Sequence, residues 1–322
     1  MSVHVFTTSE SNYDICIERG LVGLPEPKEG RSHDNVFDGL LSRLASIKEN
    51  DFILMYVIGA KELRGVWQAE GKPFYDNVPV WPDRIYPFRC KIKCSEYIFE
   101  HSLKLDDIND LRSSGMIWTW ALQRSTGSNS MFSLSSHEFG ILLNEYMKAN
   151  PFSLKKTYIP VPYPYHDPNV KQNIHLSNGV PKYEFSVMTL LNASFADNQF
   201  KDLFGNYSDF LCYVPTNLGK EMDILLMYEN PVTHVIVSYD ILEVKRDEFD
   251  EDGLKQLIGY ESWFLQKKVS GDLKMVRTTA IAKSFSPSVI EYVKQRNFFE
   301  EKPIKLISFS SNDGDFNLKR EL

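Results

Sequence analysis

Charged residues stand at the ends of two segments that have the composition of β-strands. Asp223 lies near the start of the apolar run 221–226, and Glu243 and Lys245 lie at the end of the run 241–245. Because strand side chains alternate between faces, pairing of the two segments in a hairpin would bring the three charges together. Two carboxylates can bind Mg²⁺ or Mn²⁺, and an ammonium beside them can stabilise charge or assist a water. The pattern predicts phosphodiester hydrolysis, with Asp223 and Glu243 as metal ligands.

The spacing of these residues, Asp-x19-Glu-x-Lys, resembles the motif of the PD-(D/E)xK nuclease superfamily. The predicted elements around it are a helix over 183–204, the two strands, a helix over 251–267, a strand over 275–281, a helix over 287–295 and a strand over 304–310. Their order resembles the αββαβ core of restriction endonucleases. The proline that precedes the aspartate in the family is replaced here by Met222. The alternative interpretation is an ordinary cross-strand cluster of charges.

Three further residues match this superfamily. Gln256 and Tyr260 are four positions apart on the predicted helix and therefore share one of its faces. The pair resembles the Gln-x-x-x-Tyr motif of the RecB-like branch, which implies that it supports the active site and the DNA. Glu184, near the start of the preceding helix, matches the place where the family often adds another acidic residue. We therefore count all three among the candidate catalytic residues.

The N-terminal half resembles a different family. The runs 48–56, 63–69 and 81–92, with the Gly/Pro loop 20–26 and the helix start at 134–139, are similar to an EVE domain. This domain is a PUA-like β-barrel related to the YTH and ASCH domains, and the resemblance covers residues 1–150. It implies a pocket for a flipped or unpaired base, including a modified one. An early tryptophan common in the family is absent, and Val3 and Val5 stand there instead.

Aromatic side chains are the candidates for the walls of such a pocket, because stacking on a base contributes about 1–3 kcal/mol. The candidates are Trp67, Phe74, Trp81, Trp118 and Trp120. Aromatic filling of a small barrel core is the alternative for each. The polar edges of the base would be read by Ser9, Asn12 and Ser125, and phosphates would be held by Arg84, Arg89, Lys91 and Arg124. Solvated surface charge is the alternative for these four cations.

The length and the proline distribution predict two domains. A chain of 322 residues is long for one domain. Six prolines fall within 150–182, which prevents a helix there and suits a connector. We expect an α/β and α+β protein with a base-recognition domain at 1–150, a linker at 151–182 and a nuclease domain at 183–322. The polar tail from Ser311 is expected to fray.

The composition excludes several classes of protein. The net charge of −7 does not favour a strong non-specific DNA binder, although it permits a local basic cleft. We find no apolar run long enough for a membrane helix, no signal peptide and no phosphate-cradling Gly-rich loop. Four sparse cysteines favour free thiols in a reducing cytoplasm. No Ser-His-Asp arrangement has local support, and His234 is interpreted as a turn or core residue.

Together these features predict a Mg²⁺- or Mn²⁺-dependent endodeoxyribonuclease that acts on double-stranded DNA. The resemblance implies modification-dependent restriction, in which the N-terminal domain recognises a modified cytosine and the C-terminal domain cuts. One alternative is a repair or structure-specific nuclease, and another is a non-catalytic reader of nucleic acid. Cutting of both strands by one active site per chain would favour a homodimer.

Overall fold

The computed structural model of the protein describes residues 2–30, 32–97, 99–124, 127–128, 130–152, 158–161, 170–300, 302–312 and 315–322. The chain divides into two compact units, Met1–Asn173 and Ile174–Leu322. No helix within the described residues has the length and apolar character that crossing a membrane requires.

The first unit combines nine strands with four α-helices in its described residues. The strands are β1 (Val3–Thr8), β2 (Leu21–Leu24), β3 (Phe52–Val57), β4 (Glu62–Tyr75), β5 (Phe88–Cys94), β6 (Leu103–Lys104), β7 (Gln123–Arg124), β8 (Gly127–Ser128) and β9 (Met131–Leu134). The helices are α1 (Glu10–Arg19), α2 (His33–Leu44), α3 (Leu105–Ser113) and α4 (Ser136–Ala149), and a 3₁₀ turn spans Val170–Asn173.

The main sheet of this unit has seven strands in the order β2-β5-β4-β3-β1-β9, with β6 on β4. β1 and β3 run parallel, and β1 and β9 run antiparallel. Closure of a barrel requires the first and last strands to pair, and β2 and β9 do not pair in the described part of the chain. The sheet is therefore open, and the expected closed PUA-like barrel is not observed. β1 lies between β3 and β9, and the chain passes from it through α1 to β2, which is the edge strand farthest from β9 in the strand order.

A buried carboxylate organises the start of α4. The helix begins after Ser135, as the sequence predicts, and the Ser135 hydroxyl accepts a hydrogen bond from the Glu138 amide. Glu138 is fully buried, and its carboxylate accepts from the backbone amides of Trp118, Thr119 and Ser135 at 2.6, 2.8 and 3.0 Å. The hydroxyls of Thr119 and Ser135 donate to it as well. One side chain thus joins the loop before β7 to the helix.

Part of the expected linker packs against the first unit. The amide of Val161 donates to the carbonyl of Glu18 at 2.8 Å, and the Tyr158 ring packs edge-on against Trp67. Gly20 has a positive φ, and a Cβ there would lie 2.6 Å from the Pro160 ring. Residues 158–161 are therefore held on this unit.

The second unit is built around a six-stranded sheet. The strands of this unit, including four in two small separate sheets, are β10 (Leu176–Ser177), β11 (Val180–Pro181), β12 (Asp209–Pro215), β13 (Glu221–Glu229), β14 (Ile236–Val244), β15 (Glu248–Phe249), β16 (Val276–Ala282), β17 (Ser284–Phe285), β18 (Ile304–Asn312) and β19 (Asp315–Arg320). Its helices are α5 (Glu184–Ala196), α6 (Lys201–Phe204), α7 (Glu251–Lys267) and α8 (Pro287–Phe299), with a 3₁₀ turn at Leu273–Met275.

The six strands lie in the order β12-β13-β14-β16-β18-β19. β13 is antiparallel to both β12 and β14, whereas β14, β16 and β18 run parallel. On one face, α5 packs its apolar side chains against Ile224, Leu242 and Ile307. On the other face, the Phe264 ring of α7 lies 4.8 Å from Tyr239. The predicted elements occur in the predicted order within this unit, but the helix expected over 183–204 is divided into α5 and α6, and β12 lies between it and the hairpin.

The C-terminal tail is an edge strand, so the expectation of fraying from Ser311 was wrong. β19 pairs antiparallel with β18, and Phe316 and Leu318 pack against the core beneath α5. These two residues alternate with polar ones, which is the pattern of a strand with one buried face. Residues 209–215, for which no strand is predicted above, form the opposite edge strand, β12.

Replacement of Glu138 by alanine should lower the free energy of unfolding by about 2–4 kcal/mol, because several buried donors would lose their acceptor. Urea denaturation followed by tryptophan fluorescence measures this, since Trp67, Trp81, Trp118 and Trp120 all lie in the first unit. The control is Glu145→Ala on the same helix, where the carboxylate pairs only with exposed Lys148 in the described contacts. Equal unfolding midpoints for the two variants would contradict the role assigned to Glu138.

Candidate active site

The hairpin of β13 and β14 places two carboxylates opposite each other. The ladder pairs Ile224 with Leu242, and one position further along stand Asp223 and Glu243. Their side chains therefore emerge on the same face of the sheet. The backbone amide of Val244 donates to Asp223 Oδ2 at 2.8 Å, which orients the aspartate across the strand pair.

The Glu243 carboxylate is fully buried, and its two oxygens have different surroundings. Oε1 accepts hydrogen bonds from Lys245 Nζ at 2.8 Å and from Gln256 Nε2 at 2.7 Å. Oε2 is buried and has no hydrogen-bond partner among the described residues. A buried carboxylate oxygen without a partner is costly. Oε2 is therefore the atom at which an added cation would gain most.

Lys245 stands just after β14, among three carboxylates. Its amide donates to the carbonyl of Ile281 on β16, which fixes the backbone. Its Nζ lies 2.8 Å from Glu243 Oε1 and 3.6 Å from Glu184 Oε2. Glu184 is the first residue of α5 and is partly exposed. Lys245 thus links the sheet to the N-terminus of that helix.

α7 brings Gln256 and Tyr260 to the same place. Asp250 caps this helix by accepting from the Gly253 amide at 3.0 Å. Gln256 Nε2 donates to Tyr260 Oη at 2.9 Å as well as to Glu243, and Tyr260 Oη donates to the carbonyl of Glu221 at 2.7 Å. The pair therefore ties α7 to both strands of the hairpin.

Burial and like charge govern the titration of these groups. Burial raises the pKa of Asp223 well above its usual value, repulsion from Glu243 and Glu184 raises it further, and Lys245 opposes both effects. Burial also raises the pKa of Glu243, and Lys245 again acts in the opposite direction. For Lys245, burial lowers the pKa, but the attraction of Glu243 and Asp223 outweighs it, and the net change is upward. The ammonium therefore stays protonated at neutral pH.

The donor set fits a hard divalent cation. Mg²⁺ prefers oxygen ligands and is usually held by one or two carboxylates, with waters or phosphate oxygens in the remaining positions. Asp223 and the free oxygen of Glu243 supply two such ligands. No group of three or more His, Cys, Asp or Glu residues suited to a metal occurs in the described part of the chain. The fit is thus to a cation that retains water or substrate ligands.

The five aromatic candidates for a base pocket have separate surroundings. Trp67, Phe74, Trp81 and Trp120 are buried, and Trp118 is half-buried. Trp67 packs against Tyr158, Trp81 against Tyr86, and Trp120 against Tyr56 and Phe132. Trp120 belongs to the apolar core beneath α4. Only Trp81 of the five lines a cavity described in the first unit.

Asn12 lies beside Trp81 and has a free acceptor. It is 4% exposed, and its Nδ2 donates to Asp83 Oδ1 at 3.2 Å and to Tyr86 Oη at 2.9 Å. Its Oδ1 is buried without a hydrogen-bond partner in the described residues. The cavity next to it has a volume of about 10 Å³, which is room for one water.

The residues expected to hold phosphates have different roles. Arg89 is fully buried, where it donates to the carbonyls of Tyr86 and Val78 and pairs with Asp76, so it is not available to a phosphate. Arg84 is exposed and lies over the Tyr86 ring, and Lys91 is half-buried. The side chain of Arg124, and Ser125 as a whole, lie outside what the structure describes.

His234 is an exposed turn residue between β13 and β14.

A buried Ser–His–Asp row occurs in the first unit and was missed in the sequence, because its members are far apart in the chain. His4 Nδ1 lies 2.9 Å from Ser133 Oγ, and His4 Nε2 lies 3.1 Å from Asp51 Oδ2. The order of the ring nitrogens is the reverse of that in serine hydrolases, where Nε2 faces the serine. Asp51 also accepts from the amides of Ser2 and Lys48. The row is thus a structural connection between β1, β9 and the loop before β3.

Comparisons with known proteins add little. No protein-family model matches the chain, and no curated protein matches it. A solved structure described as "Structure of EndoMS-dsDNA2 complex" is similar over 36% of this chain and 44% of that chain, with 15% sequence identity and a TM-score of 0.25. The match therefore spans less than half of that chain, and a TM-score this low supports no conclusion about fold or activity.

Replacement of Asp223 by asparagine should stabilise the second unit at neutral pH by about 1 kcal/mol or more when no divalent cation is present. The folded state raises the pKa of Asp223, so ionisation disfavours folding. This penalty is absent below about pH 4, where the carboxyl is protonated in both states, and it grows as the pH rises towards the folded pKa. Asparagine can still accept from the Val244 amide and carries no charge.

Hydrogen exchange of the β13 and β14 amides between pH 5 and 8 measures this difference in stability. Adding Mg²⁺ should protect these amides in the wild type more than in the variant. A variant that is less stable than the wild type at every pH would contradict the assigned electrostatics.

Proposed function

We propose that the chain is a divalent-metal-dependent endodeoxyribonuclease whose second unit hydrolyses phosphodiester bonds. The observation that carries this proposal is the buried Oε2 of Glu243, which has no hydrogen-bond partner among the residues described and belongs to the carboxylate opposite Asp223. Natural proteins rarely leave a buried charged oxygen without a partner, and such atoms often mark an unfilled functional site. The resemblance of Asp-x19-Glu-x-Lys to the nuclease motif supports the same conclusion.

In this proposal, Asp223 and Glu243 hold Mg²⁺ or Mn²⁺ through their oxygens. A bound cation would neutralise phosphate charge and lower the pKa of a water. The two carboxylates would otherwise repel a polyanionic backbone, so the cation also permits the substrate to approach. Gln256 and Tyr260 position Glu243 and do not themselves react.

Lys245 stabilises charge in this mechanism as an ammonium. Burial lowers its pKa, but without a bound cation the attraction of Glu243 and Asp223 outweighs burial, and Lys245 stays protonated at neutral pH. The ammonium can donate to a phosphate oxygen as negative charge develops there. Glu184, which lies 3.6 Å away, keeps the ammonium at the edge of the hairpin.

For the first unit, we propose recognition of a base in double-stranded DNA, with a modified cytosine as the preferred form. The support is the EVE-like sequence together with the free acceptor of Asn12 beside the Trp81 ring. Cytosine and its 5-substituted forms carry an exocyclic amino group that can donate to such an acceptor. The cavity must widen to admit a base, because its volume of about 10 Å³ is far too small for one.

The replacements Asp223→Asn and Glu243→Gln should each reduce Mg²⁺-dependent nicking of plasmid DNA by about a thousandfold or more, because the cation loses a charged ligand. Lys245→Met should have an effect of similar order through the loss of charge stabilisation. The matched controls are Glu229→Gln, at the far end of β13, and Lys255→Met, an exposed lysine of α7. Both controls should cleave like the wild type.

DNA binding by the same variants, measured in Ca²⁺, should persist. A chelator should stop nicking by the wild type. Full activity of Glu243→Gln would exclude this site, and an inactive wild type with intact DNA binding would favour the non-catalytic reader.

Trp81→Ala and Asn12→Ala should reduce the preference for modified DNA about tenfold, as loss of a stacking surface or a base contact worth about 1–3 kcal/mol would. Cleavage rates on duplexes with cytosine, 5-methylcytosine, 5-hydroxymethylcytosine and glucosylated cytosine measure this. Trp67→Phe is the control, because that ring packs against Tyr158 away from the cavity. Equal cleavage of all four duplexes by the wild type would favour a repair or structure-specific nuclease instead.

A further inference from the structure

An exposed lysine contacts the network around Glu243 from outside it. Lys220 immediately precedes β13, in the turn that follows β12. Its carbonyl accepts from both the amide and the hydroxyl of Thr216, at 3.2 and 2.6 Å. Gly219, with φ +73° and open space around it, allows the tight turn. The backbone of Lys220 is thus fixed although its side chain is exposed.

The ammonium of Lys220 determines the orientation of the Gln256 amide. Lys220 Nζ donates to Gln256 Oε1 at 2.9 Å. A lysine ammonium has only donors, so the oxygen of the amide must face it. The amide NH₂ then faces the site, where it donates to Glu243 Oε1 and to Tyr260 Oη. Both of its hydrogens are used.

The opposite orientation of this amide would be unfavourable at both ends. It would place the amide oxygen against the Glu243 carboxylate and the NH₂ group against the ammonium. In the observed orientation, Glu243 Oε1 accepts from two donors, and Oε2 is the oxygen without a partner in the described residues. The amide therefore acts with Lys245 to occupy Oε1 and to leave Oε2 as the oxygen available to a cation.

We propose that Lys220 is a positioning residue, which holds Gln256 in the orientation that presents Glu243 Oε2 to a divalent cation. The contact chain is Lys220, Gln256, Glu243, with distances of 2.9 and 2.7 Å. This inference rests on the proposed function, because it concerns the same cation site. It assigns a metal-tuning role to a residue of the β12–β13 turn, outside the Asp-x19-Glu-x-Lys and Gln-x-x-x-Tyr motifs.

Two measurements on the full-length protein test this role. The first is NMR of the Gln256 side-chain amide labelled with ¹⁵N, which reports whether its hydrogens stay bonded. The second is Mn²⁺ binding by calorimetry without DNA. The variants are Lys220→Met, Lys220→Arg, Gln256→Leu and the double variant Lys220→Met/Gln256→Leu. Lys255→Met is the control, because Lys255 adjoins Gln256 on α7 but pairs with Asp252 at 2.9 Å.

Lys220→Met should weaken Mn²⁺ binding about fivefold, the effect of losing roughly one hydrogen bond to the carboxylate. It should also shift the Gln256 amide signals and speed their exchange. Lys220→Arg should keep the wild-type Mn²⁺ affinity and the wild-type Gln256 amide signals, because a guanidinium group also has only donors. The double variant should bind Mn²⁺ no more weakly than Gln256→Leu, since the hydrogen bonds that connect Lys220 to Glu243 run through Gln256.

Identical amide signals and Mn²⁺ affinities for Lys220→Met and Lys255→Met would overturn the proposal. So would additive losses in the double variant. If the wild type binds no Mn²⁺ and cleaves no DNA, the proposed function fails. The positioning role then fails with it, because it requires a bound cation. In a wild type that binds Mn²⁺ and cleaves DNA, an unchanged Gln256 amide in Lys220→Met would refute the positioning role alone.

Discussion

Burial of the Glu243 carboxylate between the β13–β14 hairpin and α7 is the constraint on which the second unit depends. A fully buried carboxylate needs compensation, and here one oxygen receives it from Lys245 and Gln256 while the other receives none in the described residues. The compensating groups must be held accurately, so the surrounding elements are connected to one another: Tyr260 joins α7 to β13. Because Oε2 is not compensated, binding of a cation there would lower the free energy of the folded protein.

This arrangement lowers the stability of the folded state and supports the proposed chemistry at the same time. Asp223 and Glu243 stand opposite each other at the end of two buried strands, where burial and mutual repulsion both disfavour ionisation. A protein selected for stability alone would replace one of them with an apolar or neutral residue. Retention of both is understandable if a divalent cation offsets the repulsion. The same logic explains Lys245, whose charge is compatible with its half-buried position only because carboxylates surround it.

The first unit uses buried charge for a different purpose. Glu138 and Asp51 are both buried, and the structure gives each several donors, mainly backbone amides. They join segments that are distant in the chain. Their carboxylates already accept several hydrogen bonds, so they gain little from binding a further group. Asn12 differs because its acceptor is buried without a partner in the described residues. Glu243 Oε2 and Asn12 Oδ1 thus differ from the satisfied carboxylates of Glu138 and Asp51, and each lies at the site proposed for its unit.

The sequence by itself determined the features that depend on local periodicity. The apolar runs 221–226 and 241–245 indicate β13 and β14, and the period of two places Glu243 and Lys245 on the same side of their strand. The Ser135–Glu138 pattern defines the start of α4. Only the tertiary structure decided which strands pair and which side chains are buried. It left the first sheet open in the described residues, buried Arg89 and brought Lys220 to Gln256. The physical reason is that a local pattern specifies which face of an element is apolar, whereas pairing and burial depend on contacts between residues far apart in the chain.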